Sequence, residues 1–328
     1  MTRILTDGAE MGDLRLWTDP GAVTIDSGSK RSGVYSYKNE NWGYFTTPNL
    51  SEFYARIGTA GNWTLSTTIT VRKGSTVIGS ISRNSVTQRL EIRVGSTIVV
   101  TGNIQVPTNA WVSVEWHLKI ADSGGVSEIK IDGTVDASYS GNTKPDANTN
   151  IDNFYFAANS GYTGLQYLDD IAINDINGSV DNSWTGDGHI IIRKSNGNGD
   201  ASDLVGQDGN SVDNYLNVDE VPLDSDTTYN ESATVDAKDL YNIEDFSGSG
   251  ITILRVWVEA RARDTVADAG LCQVGFKTSG SEYWSSDISL YTTYIKRVMS
   301  SMYEVNPYDS LPWEDSDLDA IQIGFKAR

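Results

Sequence analysis

Alternation of apolar and polar residues is the feature that most constrains how this chain folds. Between Trp111 and Ile120 every second side chain is apolar and the intervening ones are polar or charged, the apolar set being Val112, Val114, Trp116, Leu118 and Ile120. A period of two is that of a β-strand with one buried face. Similar short segments recur between turns rich in Gly, Asn, Asp and Ser, with no helical period between them. The pattern predicts an all-β protein of antiparallel β-sandwich domains with very little helix.

Two predicted hairpins support this fold class. Leu90, Ile92 and Val94 alternate with charged residues up to the turn residues Gly95 and Ser96, and a second turn falls at residues 132–133. Residues 64–72 predict a further strand, with one face formed by Leu65, Thr67, Ile69 and Val71.

Length and charge indicate two domains. A chain of 328 residues is long enough for two units that each bury a core. The net charge of −19 is uneven, because residues 1–175 carry 14 basic and 18 acidic side chains and residues 176–328 carry 11 and 26. We therefore predict an N-terminal β-sandwich domain over 1–176, a connector over 177–188 and an acidic C-terminal β-sandwich domain over 189–328. An acidic surface repels phosphate backbones and argues against nucleic-acid binding.

Residue counts also restrict which partners and cellular compartments are expected for this chain. No run of 18 apolar residues exists, so no membrane insertion is expected, and the first residues lack the apolar core of a secretory signal. Cys272 is the only cysteine, so an internal disulfide is excluded, and its apolar neighbours predict a small core residue. Edge strands and the N-terminal residues offer backbone for pairing, which favours a homo-oligomer.

The second half predicts a packed β-domain. Residues 254–262 alternate as one long strand, Cys272, Val274 and Phe276 form the apolar face of the next, and Ile321, Ile323 and Phe325 place the C-terminal strand inside the sheet. Before that strand, Pro312 suits the first turn of a short helix with Ser310 as its cap. Residues 195–214 predict a surface loop.

The sequence contains few residues that could act in catalysis. His117 falls on the polar face of its strand with Glu115 two residues away, which indicates a solvated pair rather than a general base. Asp169 and Asp170 are adjacent, so their side chains are expected on opposite faces, unlike the paired carboxylates of a glycosidase. We expect no catalytic residues and no enzymatic activity.

Two acidic loops have residues that could bind a metal ion. The first superficially resembles a calcium loop through Asn196, Asn198, Asp200 and Asp203, but Gln207 stands where a bidentate Glu is needed. Asp224 and Asp226 are similar. Flexible acidic loops are favoured at both places, with structural calcium as the alternative, so no metal or cofactor is predicted.

One segment has the residue types of a carbohydrate-binding site. Trp42, Tyr44 and Phe45 directly follow three polar residues, Asn39, Glu40 and Asn41. Aromatic rings beside amide and carboxylate groups are the mixture that a sugar needs, although aromatics in a sandwich are more often core. Both interpretations, a carbohydrate-binding site and a core segment, stay open.

The order of three segments carries a family resemblance. The strand from Trp111, the hairpin Ile129 to Gly133 and the closing strand Leu168 to Ile173 together resemble the laminin-G or concanavalin-A-like jelly roll over residues 1–176. The stretch from Asn174 to Asp187, the residues near Tyr215 and Tyr229, and the Pro312-Trp313 ending resemble structural proteins of tailed-phage particles.

This resemblance implies a structural component on the outside of a bacteriophage virion, made in the host cytoplasm. It would act through contacts with capsid, neck or tail proteins, as a head decoration or a neck or tail accessory protein. The alternative is a lectin-like module that binds host-surface glycan.

Overall fold

The structure is a computed structural model that describes residues 3–61, 68–157, 165–177, 179–245, 250–266 and 270–328. In these residues the protein is built almost entirely of antiparallel β-strands, with one short α-helix and one short 3-10 helix. The predicted all-β fold class is confirmed. The chain divides into two compact units, Met1–Ile192 and Arg193–Arg328. Within the described ranges, no helix has the length and apolar character needed to cross a membrane.

The first unit contains two sheets. Its strands are β1 Arg3–Asp7, β2 Val23–Asp26, β3 Ser36–Asn39, β4 Trp42–Leu50, β5 Glu52–Gly61, β6 Thr68–Lys73, β7 Thr76–Arg83, β8 Arg89–Val94, β9 Thr97–Gln105, β10 Val112–Lys119, β11 Gly125–Ile131, β12 Thr134–Gly141, β13 Ile151–Ala157 and β14 Gln166–Asn174. Sheet A has the order β12-β11-β10-β5-β14-β3-β2, with β1 also beside β14, and sheet B has the order β4-β13-β6-β7-β8-β9.

The core of the first unit lies between these sheets. Phe53 of sheet A contacts Phe154 of sheet B with ring centroids 5.1 Å apart, and Trp116 packs against Phe53 at 5.4 Å. The inward residues of the strand predicted from the period of two, from Val112 to Leu118, are all buried. The alternation therefore identified the buried face of this strand correctly.

Both predicted hairpins are present. β8 pairs with β9 across the turn at Gly95, and β11 pairs with β12 across Asp132 and Gly133, whose φ angles of 48° and 78° allow a tight two-residue turn. In β6, Ile69 and Val71 are buried as predicted. Residues 64–67 of that predicted strand lie outside the described residues.

The second unit is organised around one larger sheet. Its elements are β15 Ser195–Ser202, β16 Val205–Gly206, a 3-10 helix Asn214–Asn217, β17 Asn230–Glu231, β18 Lys238–Ile243, β19 Glu259–Ala262, β20 Leu271–Thr278, β21 Ser281–Trp284, β22 Ile288–Ser289, β23 Ile295–Met299, α1 Asp315–Asp319 and β24 Gln322–Ala327. Sheet C has the order β15-β18-β24-β20-β21, with β22 also beside β20. The pairs β16-β17 and β19-β23 form two small sheets.

The C-terminal strand is central to sheet C, as predicted. β24 pairs with β18 on one side and with β20 on the other. Cys272, Val274 and Phe276 on β20 are fully buried, which confirms the apolar face predicted for that strand.

The long strand predicted over 254–262 is wrong in extent. Only Glu259–Ala262 forms a strand, while Val256 makes a single bridge with Tyr303. The Val258 N–H donates to the Ser300 hydroxyl at 2.9 Å instead of to a backbone carbonyl. This side-chain bond interrupts the ladder, which explains why the alternation continues further than the strand.

The short helix is shifted from its predicted start. It spans Asp315–Asp319, and its N-cap is Glu314 rather than Ser310. Asp317 accepts a hydrogen bond from the Glu314 N–H at 2.9 Å, completing a capping box. Pro312 lies before the helix and forms an isolated bridge with Val305. The capping-box carboxylate therefore determined the helix start.

The surface loop predicted over 195–214 is partly wrong. Residues Ser195–Ser202 form β15, the edge strand of sheet C, paired with β18 through an irregular register. The Asn242 side chain donates to the Asn198 carbonyl at 2.7 Å and helps hold this edge. Only Ser195 of this strand is buried, so its sequence shows no apolar alternation.

Candidate functional site

The outer face of sheet B is formed by the side chains that point away from the core. The core takes alternate residues of each strand, such as Ile69 and Phe154, so the residues next to them point outward. Cross-strand pairing joins one outward residue from each of five neighbouring strands into a row: Tyr44, Tyr155, Thr70, Ser80 and Arg93.

A stacked series of side chains stands at one end of this face. The rings of Trp42 and Tyr155 are nearly parallel, 6° apart in plane with centroids at 6.1 Å. The Arg72 guanidinium lies over the Tyr155 ring at 3.6 Å from its centroid. Behind Trp42, a Cβ on Gly21 would come within 2.9 Å of the indole, so glycine permits close packing there. We call Trp42, Tyr155 and Arg72 the aromatic stack.

Short hydroxyl side chains lie next to the aromatic stack. Thr70, Ser80 and Ser82 point outward yet are only 6%, 5% and 2% exposed. The longer side chains of the aromatic stack stand beside them on one side, and those of Arg93 and Glu91 on the other. Small, largely covered hydroxyl residues therefore stand between larger side chains across the strands.

Beyond these hydroxyls lies a hydrogen-bonded polar group. Arg93 donates from Nη2 to Glu91 at 3.1 Å and from Nε to the Ser82 hydroxyl at 3.1 Å. Glu91 also accepts from the Asn84 amide at 2.7 Å. These bonds hold a guanidinium, a carboxylate and a hydroxyl in place before any ligand arrives, which lowers the entropy cost of binding.

Arg72 has spare hydrogen-bonding capacity. Its Nε is buried and has no hydrogen-bond partner, and no carboxylate pairs with its guanidinium, among the residues that the structure describes. A guanidinium offers five donors in a planar fork. Arg72 can therefore donate to hydroxyl or carboxylate oxygens of a bound molecule.

The residues predicted to bind carbohydrate are divided between the two sides of sheet B. Trp42 and Tyr44 are on the outer face, while Phe45 is in the core and 1% exposed. Asn39 is buried and accepts from the Asn41 N–H at 3.2 Å, and Glu40 pairs with Lys38 at 2.7 Å. These amide and carboxylate groups are thus engaged locally, and Thr70, Arg72, Ser80 and Arg93 provide the polar groups of the outer face instead.

His117 has a different partner from the one expected. Its Nε2 lies 2.9 Å from Glu52 on the neighbouring strand, and its ring stacks on Tyr54 at 4.1 Å. Trp184 packs edge-on against both rings. The predicted solvated pair with Glu115 is wrong, because Glu115 is 2% exposed and accepts from the Gly186 N–H at 2.8 Å.

Residues 183–190 lie over the outer face of sheet A within the first unit. Arg56 donates to the Gly186 carbonyl at 3.0 Å, and Asp170 accepts from the Ile190 N–H at 2.7 Å. Arg31 pairs with Asp170 at 2.7 Å, and His189 Nδ1 lies 3.2 Å from the same carboxylate. Part of the segment predicted as a connector, 177–188, is therefore bonded to sheet A.

Asp169 and Asp170 do not point to opposite faces as expected. A register shift lies between Asp169 and Ala172, and Asp170 has a φ of 49°. This bulge turns both carboxylates to the same loop, where Asp169 accepts from the Arg31 N–H and Asp170 from the Ser32 hydroxyl. Both are fully buried and hydrogen-bonded, so they hold the loop before β3 and are not exposed to a substrate.

The residues weighed as metal ligands are dispersed. Asn198 and Asp200 belong to β15, and Asp200 pairs with Lys277. Asp226 pairs with Arg263 at 2.8 Å and accepts from the Tyr294 hydroxyl. Across the described ranges, no group of three or more His, Cys, Asp or Glu side chains is placed to hold a metal ion.

Cys272 is a core residue in the structure. It is fully buried on β20, and burial raises the pKa of its thiol to about 12. The thiolate, which is the nucleophilic form, is therefore suppressed at neutral pH.

Comparison with known proteins gives structural but no sequence relatives. No protein-family model matches the chain, and no curated protein matches its sequence. Among solved structures, the chain is similar to the endo-β-1,4-glucuronan lyase of the fungus Trichoderma reesei, at 14% identity and a TM-score of 0.39, over 56% of this chain and 100% of the lyase. It is similar to alginate lyase Aly36B at 12% identity and 0.38, over 53% of this chain and 94% of that one.

A sialidase also matches, at 10% identity and a TM-score of 0.40, over 53% of this chain and 18% of the sialidase. These three proteins are enzymes, so the prediction that the chain has no enzymatic activity is contradicted and is withdrawn. Likeness at this level of identity concerns the fold of about half the chain.

Proposed function

We propose that this protein binds a glycan along the outer face of sheet B. The observation that carries the proposal is the aromatic stack of Trp42, Tyr155 and Arg72 on the same face as the Arg93 guanidinium, which Glu91 and Ser82 hold in place. A pyranose ring has apolar C–H faces and a rim of hydroxyls. Aromatic rings suit the faces, and fixed hydroxyl and guanidinium groups suit the rim.

The dimensions of the face support an extended ligand. The row from Tyr44 to Arg93 crosses five neighbouring strands of sheet B. At about 4.8 Å between strands, this row is about 19 Å long, longer than a single sugar ring. Polysaccharide or oligosaccharide is therefore the expected ligand class, rather than a monosaccharide.

Binding to a panel of immobilised neutral and acidic polysaccharides tests this proposal. We expect the parent protein to bind at least one of them, and Tyr155→Ala to weaken that binding about tenfold or more, since it removes the central ring of the stack and the support of Arg72. Tyr54→Ala, which removes a stacked tyrosine from the outer face of sheet A, is the matched control and should bind normally. Thermal melting shows whether each variant is folded.

Two results would reject the proposal. One is the absence of binding across the panel by a folded parent protein. The other is equal binding by the parent and a folded Tyr155→Ala variant. The same incubations are assayed for new chain ends, because depolymerisation would show that the protein also acts on the glycan that it binds.

A role on the outside of a tailed-phage particle stays a separate proposal. It rests on the sequence resemblance of residues 174–187 and of the C-terminal region, and it implies contacts with capsid, neck or tail proteins and self-association. A pull-down of particle proteins with the full chain in excess glycan distinguishes the two interactions. Virion partners should remain bound in the presence of glycan, whereas partners held through the outer face of sheet B should be released.

A further inference from the structure

The outer face of sheet C contains a tryptophan that lies flat on the sheet. Cross-strand pairing places Leu240, Gly324, Gly275 and Trp284 in one row from β18 to β21. A Cβ on Gly324 would come within 2.8 Å of the Trp284 indole, and one on Gly275 within 3.0 Å. The indole therefore extends from β21 across β20 to β24.

The two glycines are required by close neighbours, the indole among them, rather than by a positive φ. Neither Gly275 nor Gly324 has a positive φ, so other residues could adopt the same backbone conformation. A Cβ on Gly275 would clash with the Tyr283 carbonyl oxygen as well as with the indole, and one on Gly324 would clash with the Leu240 side chain as well as with the indole. The pair of glycines thus makes an aromatic platform on a sheet face.

Charged and amide side chains surround this platform. The Trp284 Nε1 donates to Glu282 at 3.0 Å, and Glu282 also pairs with Lys238 at 2.5 Å. Lys326 places its ammonium over the indole, 4.2 Å from the ring centroid. The remaining outward residues nearby are polar: Gln273, Gln322 and Lys277.

Lys326 is the exceptional charge on this face. In the described part of the chain no carboxylate forms an ion pair with it, whereas Lys238 pairs with Glu282 and Lys277 pairs with Asp200. Lys326 also lies directly opposite Lys238 in the register. Like charges opposite each other destabilise a sheet. A bound anion would neutralise the Lys326 ammonium, which has no carboxylate partner among the described residues, whereas Lys238 and Lys277 already have one.

We propose that the outer face of sheet C is a second ligand site, which binds an acidic saccharide through Trp284 and Lys326. The C–H face of the pyranose ring stacks on the indole, and the sugar carboxylate binds the Lys326 ammonium, which moves from the ring face to the ring edge. Glu282 holds the indole in plane through its Nε1. This site belongs to the second unit and does not depend on the glycan site of sheet B.

Binding of an oligogalacturonate to the full chain tests this site. Calorimetry is done in the Tyr155→Ala background, so that the sheet B site does not contribute. Lys326→Gln keeps most of the side-chain length and removes the charge, and we expect it to weaken binding about tenfold or more because a charge-assisted bond is lost. Lys326→Arg should bind within a few-fold of the parent.

Lys277→Gln is the matched control, since Lys277 lies on the same face and is already paired with Asp200. It should bind as the parent does, and a neutral maltohexaose should bind at least about tenfold more weakly than the oligogalacturonate. Trp284→Ala should abolish binding, and if that variant does not fold, Lys326→Gln decides the matter.

The proposal is overturned if the parent does not bind oligogalacturonate, if Lys326→Gln binds as the parent does, or if the neutral oligosaccharide binds equally well. Loss of binding in Lys277→Gln equal to that in Lys326→Gln would also overturn it, because the effect would then be one of general charge. Failure here leaves the sheet B site untouched, since that site is tested by comparing Tyr155→Ala with its parent in a Lys326→Gln background, in which the sheet C site does not contribute.

Discussion

The two units bury their apolar residues in different ways. In the first unit, buried residues of sheets A and B form one continuous cluster that includes Trp17, Phe53, Trp116 and Phe154. In the second unit, the described buried residues form two small clusters, one around Phe276 and Trp313 and the other around Cys272 and Val274. Both small clusters draw on the same strand, β20.

This difference indicates how the stability of each unit responds to the loss of a buried side chain. A large cluster shares the burial over many residues, so the loss of one side chain leaves most contacts in place. A small cluster depends on a few side chains, and β20 links the two clusters of the second unit. We therefore expect the second unit to be the more sensitive to single changes.

Removing the last strand should have the largest effect. Truncation after Asp319 deletes β24, whose two neighbours β18 and β20 would then lose their pairing partner in the middle of sheet C. We expect an insoluble product, or a product without the thermal transition of the second unit. A soluble truncated protein that still melts cooperatively in both units would contradict the central position of β24.

Core substitutions compare the two units directly. Phe276 contacts Tyr283, Tyr303 and Trp313, with ring centroids 5.0 to 5.9 Å apart. Phe276→Ala and Trp116→Ala should each cost about 3 to 5 kcal/mol. In calorimetry of the full chain, we expect Phe276→Ala to abolish the transition of the second unit, and Trp116→Ala to lower that of the first while leaving it cooperative. The opposite pattern would show that the size of the buried cluster does not determine how strongly a unit is destabilised by a core substitution.

A smaller effect is expected for the pH dependence of the stability of the first unit. Burial, together with the nearby Asp170 carboxylate, raises the pKa of Glu10 to about 7 and that of Asp169 to about 8. The folded state thus retains protons that the unfolded chain releases near pH 4. The free energy of unfolding should fall as pH rises from about 4 through 8, since stability falls wherever the folded state binds more protons.

Urea unfolding at pH 5.5, 7 and 8.5 measures this slope. Glu10→Gln and Asp169→Asn each remove one titrating group, so each should make the decline with pH shallower. A parent protein whose stability rises over this range, or variants with the slope of the parent, would show that these two carboxylates do not titrate as described.

The fold class and much of the core were predictable from the sequence. The period of two identified the inward face of the strand from Val112 to Lys119, the hairpins at Gly95 and Asp132, and the buried face of β20. These features are local, because the alternation of a strand and the chemistry of a turn depend on neighbouring residues. The errors also have local causes, such as the Ser300 hydroxyl that interrupts the ladder at Val258 and the bulge at Asp170.

The candidate sites needed the tertiary structure. The sequence suggested Trp42 and Tyr44, but Tyr155 and Arg72 come from strands far away in the chain, and only the order β4-β13-β6 makes them neighbours. Gly275 and Gly324 likewise show no purpose until their strands pair beneath Trp284.

The sequence by itself determined that the chain forms strands, which side of many of them is buried, and that charge accumulates in the second half. Only the tertiary structure decided which outward side chains share a surface. The physical reason is that alternation reports the direction of a side chain relative to its own strand, whereas a binding face depends on strand order, which is set by packing between residues far apart in sequence.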